Sequence, residues 1–245
     1  MVGLGPGGAQ HRTPAALTAL RRAEIVIGYE LYVDQCRQLL APSQQVIPSP
    51  IGAEADRCDE ALRLAAAGHR VALVCSGDPG VFAMATLVHE LAHRHGSPPV
   101  EVVPGITAAS AAASLVGAPL AHDHCLISLS DLMTPWEVIE RRLTAAAESD
   151  MAVALYNPRS MKRTRQLVRA REILLGHRPD DTPVAVVTDA TRAGEHRHLT
   201  TLFDLDPTEV NMLSIVIIGS STTRLIDQYL VTPRGYAAER VPETT

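Results

Sequence analysis

Arg70-Val71-Ala72-Leu73-Val74-Cys75-Ser76-Gly77-Asp78-Pro79-Gly80 joins an apolar run to a turn of small residues. A run of this length that stops at Ser-Gly-Asp-Pro-Gly reads as the carboxyl end of a strand in an α/β sheet, and ligands of such sheets sit outside those ends. Four further segments repeat the pattern: Val2-Gly3-Leu4-Gly5-Pro6-Gly7-Gly8, Val103-Pro104-Gly105-Ile106-Thr107-Ala108-Ala109-Ser110, Leu155-Tyr156-Asn157-Pro158 and Ile218-Gly219-Ser220-Ser221. As a set they predict a small-molecule site.

Outward from the 70–75 strand, helices and strands alternate. Thr13-Pro14 is an N-cap followed by proline in the first turn, so residues 15–23 are predicted helical, with a strand at 24–29. Helices are expected over 53–67, closed by Gly68, and over 81–95, then a strand at 100–103 and an Ala-rich helix over 107–115. This rhythm predicts a parallel sheet with helices on both faces. Ala118-Pro119-Leu120 reads as a boundary, giving two α/β domains, 1–119 and 120–245. Beyond it, strands are expected at 125–129, 151–156, 183–188 and 214–218, an edge strand at 199–202, and helices over 136–148 and 161–175. The 234–245 tail lacks periodicity and reads as mobile. Only Met1 and Val2 precede Gly3, so the first strand is clipped or translation starts upstream.

Composition narrows the function. Only 3% of the 245 residues are aromatic and the net charge is -5, which disfavours a nucleic-acid partner. Cys36, Cys58, Cys75 and Cys125 form no C-x-x-C pair and read as reduced, mostly buried thiols. With no apolar run approaching a membrane span and no leader pattern, a cytoplasmic protein is expected. Gly3-x-Gly5-x-x-Gly8, with Glu30 beyond the second strand, formally matches a dinucleotide fingerprint. Pro6 inside the loop and a helix start at Thr13 misplace the dipole that would receive a pyrophosphate. An NAD(P)-dependent reductase and a non-catalytic nucleotide-binding regulator stay open as rivals.

Gly3-Leu4-Gly5-Pro6-Gly7, Ser76-Gly77-Asp78-Pro79-Gly80-Val81-Phe82 and the Val103 to Ser110 segment resemble the successive signatures of the tetrapyrrole (precorrin and uroporphyrinogen) methyltransferases. Two narrower stretches, Leu129-Ser130-Asp131-Leu132-Met133-Thr134-Pro135-Trp136-Glu137 and Ala154-Leu155-Tyr156-Asn157-Pro158-Arg159-Ser160, resemble the subfamily that methylates C17 of precorrin-3B or its cobalt counterpart. The resemblance implies two α/β domains, a homodimer, and S-adenosylmethionine in a cleft between the domains. It places cofactor contacts at Pro6, Gly77, Asp78, Val81, Thr107, Ala108, Asn157 and Ala190. Ile51-Gly52 departs from the family's Met-Gly.

The C17 reaction that the resemblance implies couples methylation to ring contraction, and a hydroxyl proton must leave as a carbonyl forms. Asp131, first, and Glu30, second, are the expected proton acceptors. Arg159 and Arg163, in a run that also holds Lys162, Arg165, Arg169 and Arg171, are expected to meet the carboxylates of the tetrapyrrole, while Arg169 and Arg171 read as a solvated helix face. His124 is a further substrate-contact candidate. His122 and His124 have metal-pair spacing but no matching third ligand, so no metal is expected.

Overall fold

The computed structural model describes residues 1–236, and the chain divides into two compact units, the first spanning Met1–Ala111 and the second beginning at Ala112. The first unit carries β1 (Val2–Gly3), α1 (Pro14–Arg22), β2 (Ile25–Tyr29), α2 (Glu30–Cys36), β3 (Gln45–Ser49), α3 (Glu54–Ala66), β4 (Val71–Cys75), α4 (Ala85–Ala92) and the start of α5 (Ala108–Val116). Its sheet has the order β1-β4-β2-β3, and every pair is parallel. Strand side chains alternate between faces. Ile25, Ile27, Leu73 and Cys75 pack with Cys58, Ala61 and Leu62 of α3 and Val88 and Leu91 of α4. Val26, Ala72 and Val74 pack with Ala16 and Leu20 of α1 and Val33 and Cys36 of α2. Burial on both faces is what makes β2 and β4 read as continuous apolar runs, and each such aliphatic contributes about 1.5–3 kcal/mol.

Thr13 caps α1 as expected, its hydroxyl accepting from Ala16 N at 3.1 Å. Two expectations for this unit need correction. The 100–103 segment is not a strand; only Val103 bridges, to Val2, because the two-residue β1 offers no further partner. The 81–95 helix begins only at Ala85, since Phe82 takes a left-handed φ of 49°, and its last turn, His93–His95, tightens to 3-10 geometry. Where β1 stops, Val71–Leu73 of β4 have no strand neighbour on that side. A hollow of about 550 Å³ opens there, lined among others by Met1, Ala19, Leu73 and Val100. It lies at the amino ends of the strands, away from the glycine loops.

The second unit carries β5 (Gly117–Ala118), β6 (His124–Ser128), α6 (Trp136–Glu148), β7 (Ala152–Tyr156), α7 (Gln166–Leu175), β8 (Pro183–Thr188), β9 (His196–Thr201), β10 (Ser214–Ile218), β11 (Arg224–Ile226) and β12 (Tyr229–Val231). Its main sheet has the order β6-β7-β10-β8-β9, in which only β6–β7 is parallel. The β7–β10, β10–β8 and β8–β9 pairs are antiparallel, because no α-helix separates β8, β9 and β10 to carry the chain back for a parallel return. Val153, Leu155, Val184, Val186, Val216 and Ile218 pack against Ile139 and Leu143 of α6 and Leu167 and Leu174 of α7. Between α7 and β8, the buried Arg178 donates to the carbonyls of Ala146, Met151 and Gly219, tying the end of α6 to the strands on either side of the core. β12 pairs with β5 and β11 in a separate three-stranded sheet. The tail beyond Tyr236, expected to be mobile, lies outside the described residues.

Candidate active site

In the first unit the carboxyl ends of β1 and β4 meet the turn before α5 in a knot of backbone. Gly5 and Gly77 exchange hydrogen bonds, N–H to carbonyl, at 3.2 and 2.7 Å, while Gly3 N donates to Val103 O at 3.0 Å and Leu4 N to Cys75 O at 2.9 Å. A β-carbon on Gly3 would stand 2.7 Å from Gly77 O and 2.8 Å from Gly105 N, so side chains are excluded where these segments cross. Gly77 itself needs glycine for its left-handed φ of 64° and lies next to Thr107 Cα and Ala108 N. Asp78 clips the knot: Oδ1 accepts from Gly80 N at 2.7 Å and Oδ2 from Gly105 N at 3.0 Å.

Gly77, Asp78, Val81, Thr107 and Ala108 are thereby gathered in one place, with Pro6 directly following the paired Gly5. A pyrophosphate would find no helix under this loop, because α1 begins at Pro14, beyond the short 3-10 turn Ala9–His11. The knot itself is buried and its N–H and carbonyl groups are spent on one another, so what it offers a ligand is a fixed, side-chain-poor rim at the half-buried Asp78, Val81, Thr107 and Ala108. Glu30 opens α2 at the same edge of the sheet, exposed, and among the described residues it has no hydrogen-bond or ion-pair partner.

In the second unit, β6, β7 and β8 share one direction, since β10 runs antiparallel to both β7 and β8. Their carboxyl ends and the start of β10 therefore lie along one edge. Asn157 follows β7 with φ 50° and donates from Nδ2 to Ser128 Oγ at 3.0 Å. Ala190 follows β8 between Asp189 and Thr191, whose φ values are 50° and 64°; Asp189 N donates to Leu213 O at 3.2 Å. Left-handed backbone is rare for side chains other than glycine, and for a β-branched threonine it is a genuine outlier of the kind that collects at functional edges.

Asp131, beyond β6 on this edge, accepts from Gln166 Nε2 at 2.8 Å and is not a helix cap, since α6 starts behind Pro135 with no side-chain cap. Arg163 is half-buried, with its Nε atom lacking a hydrogen-bond partner. Burial disfavours its charge and lowers its pKa, and Asp131 opposes that shift. Arg159 also stands here, but its guanidinium donates to Pro207 O. Arg171 donates to Leu205 O and lies over the Phe203 ring, and Arg169 pairs with Glu140 and Glu172, so these two serve the fold. His124 does not join this set. It opens β6 and so lies at the amino edge, its Nδ1 within 3.0 Å of His122 O.

Sequence reasoning missed a hollow of about 500 Å³ on the carboxyl edge, lined by Arg159, Met161, Thr164, Met212 and Leu213 among others. Met161 is 97% exposed, Met212 56% and Leu213 52%. Strand periodicity carries no signal for residues outside the strands; only the methionines' concentration in edge loops could have flagged it.

Known proteins resemble this chain over most of its length. The chain is 47% identical over 237 residues to a probable cobalt-factor III C(17)-methyltransferase of Salmonella typhimurium, covering 96% of this chain and 98% of the relative. It is 42% identical over 246 residues to a precorrin-3B C(17)-methyltransferase of a Sinorhizobium species, covering 97% and 96%. A cobalt-factor III methyltransferase of Priestia megaterium is 45% identical over 241 residues, and there the chain spans only 44% of the relative's length. Among solved structures, that of the methyltransferase CobJ superposes with a TM-score of 0.89 at 39% identity, covering 95% of this chain and 98% of its own. No helix among the described residues is long and apolar enough to cross a membrane. With residues 1–206 matching the family model as well, the chain belongs to the tetrapyrrole (corrin/porphyrin) methylases.

Proposed function

We propose that this chain transfers a methyl group from S-adenosylmethionine to C17 of precorrin-3B or its cobalt counterpart, with contraction of the macrocycle, in cobalamin synthesis. The observation that carries the reading is the end-to-end likeness to C17-methyltransferases of both kinds. Relatives named for cobalt-factor III are 42–47% identical and a relative named for precorrin-3B is 42% identical, so both acceptors are carried into the test. A homodimer acting in the cytoplasm completes the proposal.

When bound, S-adenosylmethionine supplies an electrophilic methyl on a sulfonium. Displacement at that carbon needs no protein nucleophile, so the chain's work is alignment and exclusion of water. Pro6, Gly77, Val81, Thr107 and Ala108 are assigned to cofactor contact, and Asn157 and Ala190 as contacts from the second unit. Asp78, with one oxygen accepting from Gly80 and the other from Gly105, acts by holding those loops in place. Asp131, or Glu30 in its stead, takes the hydroxyl proton released on contraction. Of the two arginines, Arg163 is the freer to meet a substrate carboxylate, because Arg159 is engaged with Pro207 O.

The test is titration with S-adenosylhomocysteine by calorimetry, followed by turnover of methyl-labelled cofactor with precorrin-3B and with its cobalt form. NMR of the product expects the label on C17. Label on another carbon, or no cofactor binding, overturns the reading.

A further inference from the structure

Three of the six methionines in this chain, Met133, Met161 and Met212, stand in the loops at the carboxyl edge of the second unit's sheet. Two of them are almost entirely exposed, Met133 at 92% and Met161 at 97%, and Leu132 beside Met133 is 85% exposed. Single exposed apolar residues are ordinary, but a group this bare marks a surface that receives something. The group is held together. Asp131, next to Leu132, accepts from Gln166, which opens α7, and faces Arg163, two residues from Met161.

Charge surrounds the group. Arg163 feels the charge of Asp131, and Lys162 and Arg165 flank it in sequence, in a chain whose net charge is -5. Arg163 keeps an unsatisfied Nε, and Lys162 and Arg165 are exposed. Residues 128–135, 157–165, 189–195 and 211–213, which form this edge, contain no Phe, Tyr or Trp. A flat conjugated ligand arriving here has no aromatic platform to stack on and must lie against aliphatic and thioether side chains. Methionine suits that task, being unbranched, polarizable and favourable against ring systems.

We propose that Leu132, Met133 and Met161 form the apolar rest on which the flat face of the tetrapyrrole lies, while Lys162 and Arg163 take carboxylates at its rim. The inference rests on the function proposed above for the chemistry of its ligand. It adds the residues that select a macrocycle rather than a smaller acid. Carboxylates give orientation through the guanidinium fork of Arg163, and the trio supplies burial of the ring face.

The experiment uses uroporphyrin III as a stable, flat, carboxylate-bearing probe and reads its binding by absorption shift and fluorescence. The variants are the Leu132→Ser/Met133→Ser double and Met161→Ser, all at exposed positions, with Met133→Leu and Met161→Leu as conservative partners. The serine variants are expected to weaken porphyrin binding about tenfold or more and to raise KM for the methyl acceptor by a similar factor. Leaving kcat and S-adenosylhomocysteine affinity within about twofold, they change binding of the acceptor alone. The leucine variants should stay near wild type. Porphyrin affinity unchanged in the serine variants, or equally weakened in the leucine variants, overturns the proposal, as does wild-type protein that does not bind the porphyrin. Wild-type protein that binds the porphyrin on the trio but methylates neither precorrin-3B nor its cobalt form sinks the proposed reaction and leaves the apolar rest standing.

Discussion

Replacing Gly3 by Ala adds one carbon at the crossing of three backbones, and its surroundings set the penalty. The new β-carbon would lie 2.7 Å from Gly77 O, 2.8 Å from Gly105 N and 2.8 Å from the Pro79 ring, all closer than real β-carbons approach. None of these is the end of a flexible side chain, so β1 must part from the 77–79 turn and from Gly105. Overpacking of this kind costs about 1–3 kcal/mol. Parting the knot also endangers the Gly3–Val103 and Gly5–Gly77 hydrogen bonds, each worth about 1 kcal/mol net. A loss of about 2–5 kcal/mol is expected, a large share of an ordinary domain's 5–15 kcal/mol. Gly77→Ala is the informative contrast: its β-carbon meets nothing nearer than 3.8 Å, and only the left-handed φ of 64° is penalised, by about 1–2 kcal/mol. Gly52→Ala, with φ 84° and open space around it, carries that same strain away from the site. Urea denaturation orders the three, and S-adenosylhomocysteine titration reads the site. Gly3→Ala should fall furthest in both, and Gly52→Ala should keep cofactor affinity. Gly3→Ala with wild-type midpoint and affinity would show that the knot yields freely and would refute the steric argument.

Asp78→Ala leaves the N–H groups of Gly80 and Gly105 without their acceptor, and is expected to weaken S-adenosylhomocysteine binding at least tenfold, about 1.4 kcal/mol, with the fold retained; calorimetry decides, and unchanged affinity removes Asp78 from the site. Arg178→Met strips a donor from the carbonyls of Ala146, Met151 and Gly219 and should cost about 1–3 kcal/mol in denaturation with cofactor affinity intact. Burial pushes the Cys58 thiol up to about 11 and the Cys75 thiol to about 12, so the folded chain holds these protons more tightly than the unfolded one. Their contribution is therefore complete below about pH 8.5 and is lost as pH rises through 11 and 12, which melting curves over that range should show as falling stability. Asp131→Asn should yield C17-methylated but uncontracted product, or bind both ligands without turnover; full activity with normal product passes the proton-accepting role to Glu30, where Glu30→Gln is read by the same mass spectrometry and NMR.

Much of the fold was legible because its central strands are buried on both faces. β2, β4, β7, β8 and β10 are near-continuous runs of aliphatic residues, and their positions were read within a residue. β3 escaped because Gln45-Val46-Ile47-Pro48-Ser49 is an edge strand, half exposed and interrupted by proline. β11 escaped because all three of its residues are exposed, leaving no alternation to read. Strand direction in the second unit was misread although its cause was visible: no helix was expected between the 183–188, 199–202 and 214–218 strands, and connections without one return antiparallel. His124 stands apart from the other site candidates: a strand expected at 125–129 already put it at the amino end, and the structure has it opening β6 there.

The two edges bring ligand chemistry to the surface by opposite means. In the first unit, backbones cross so closely that Gly3 and Gly105 tolerate no side chain, and glycine is compulsory at positions any reader of the sequence can see. In the second, Asn157, Asp189 and Thr191 hold left-handed backbone despite their side chains, at about 1 kcal/mol or more each. A substitution in the knot is therefore chiefly a lesion of the fold, whereas the second edge can exchange Leu132, Met133 or Met161 without disturbing a buried contact. That difference accounts for where the sequence resemblances fall: the motifs shared across the methyltransferase family lie in the first unit, and the two stretches that narrow the resemblance to one subfamily lie in the second. Backbone that admits no alternative suits the part of the reaction that never changes, and exchangeable loops suit the part that distinguishes one macrocycle carbon from another.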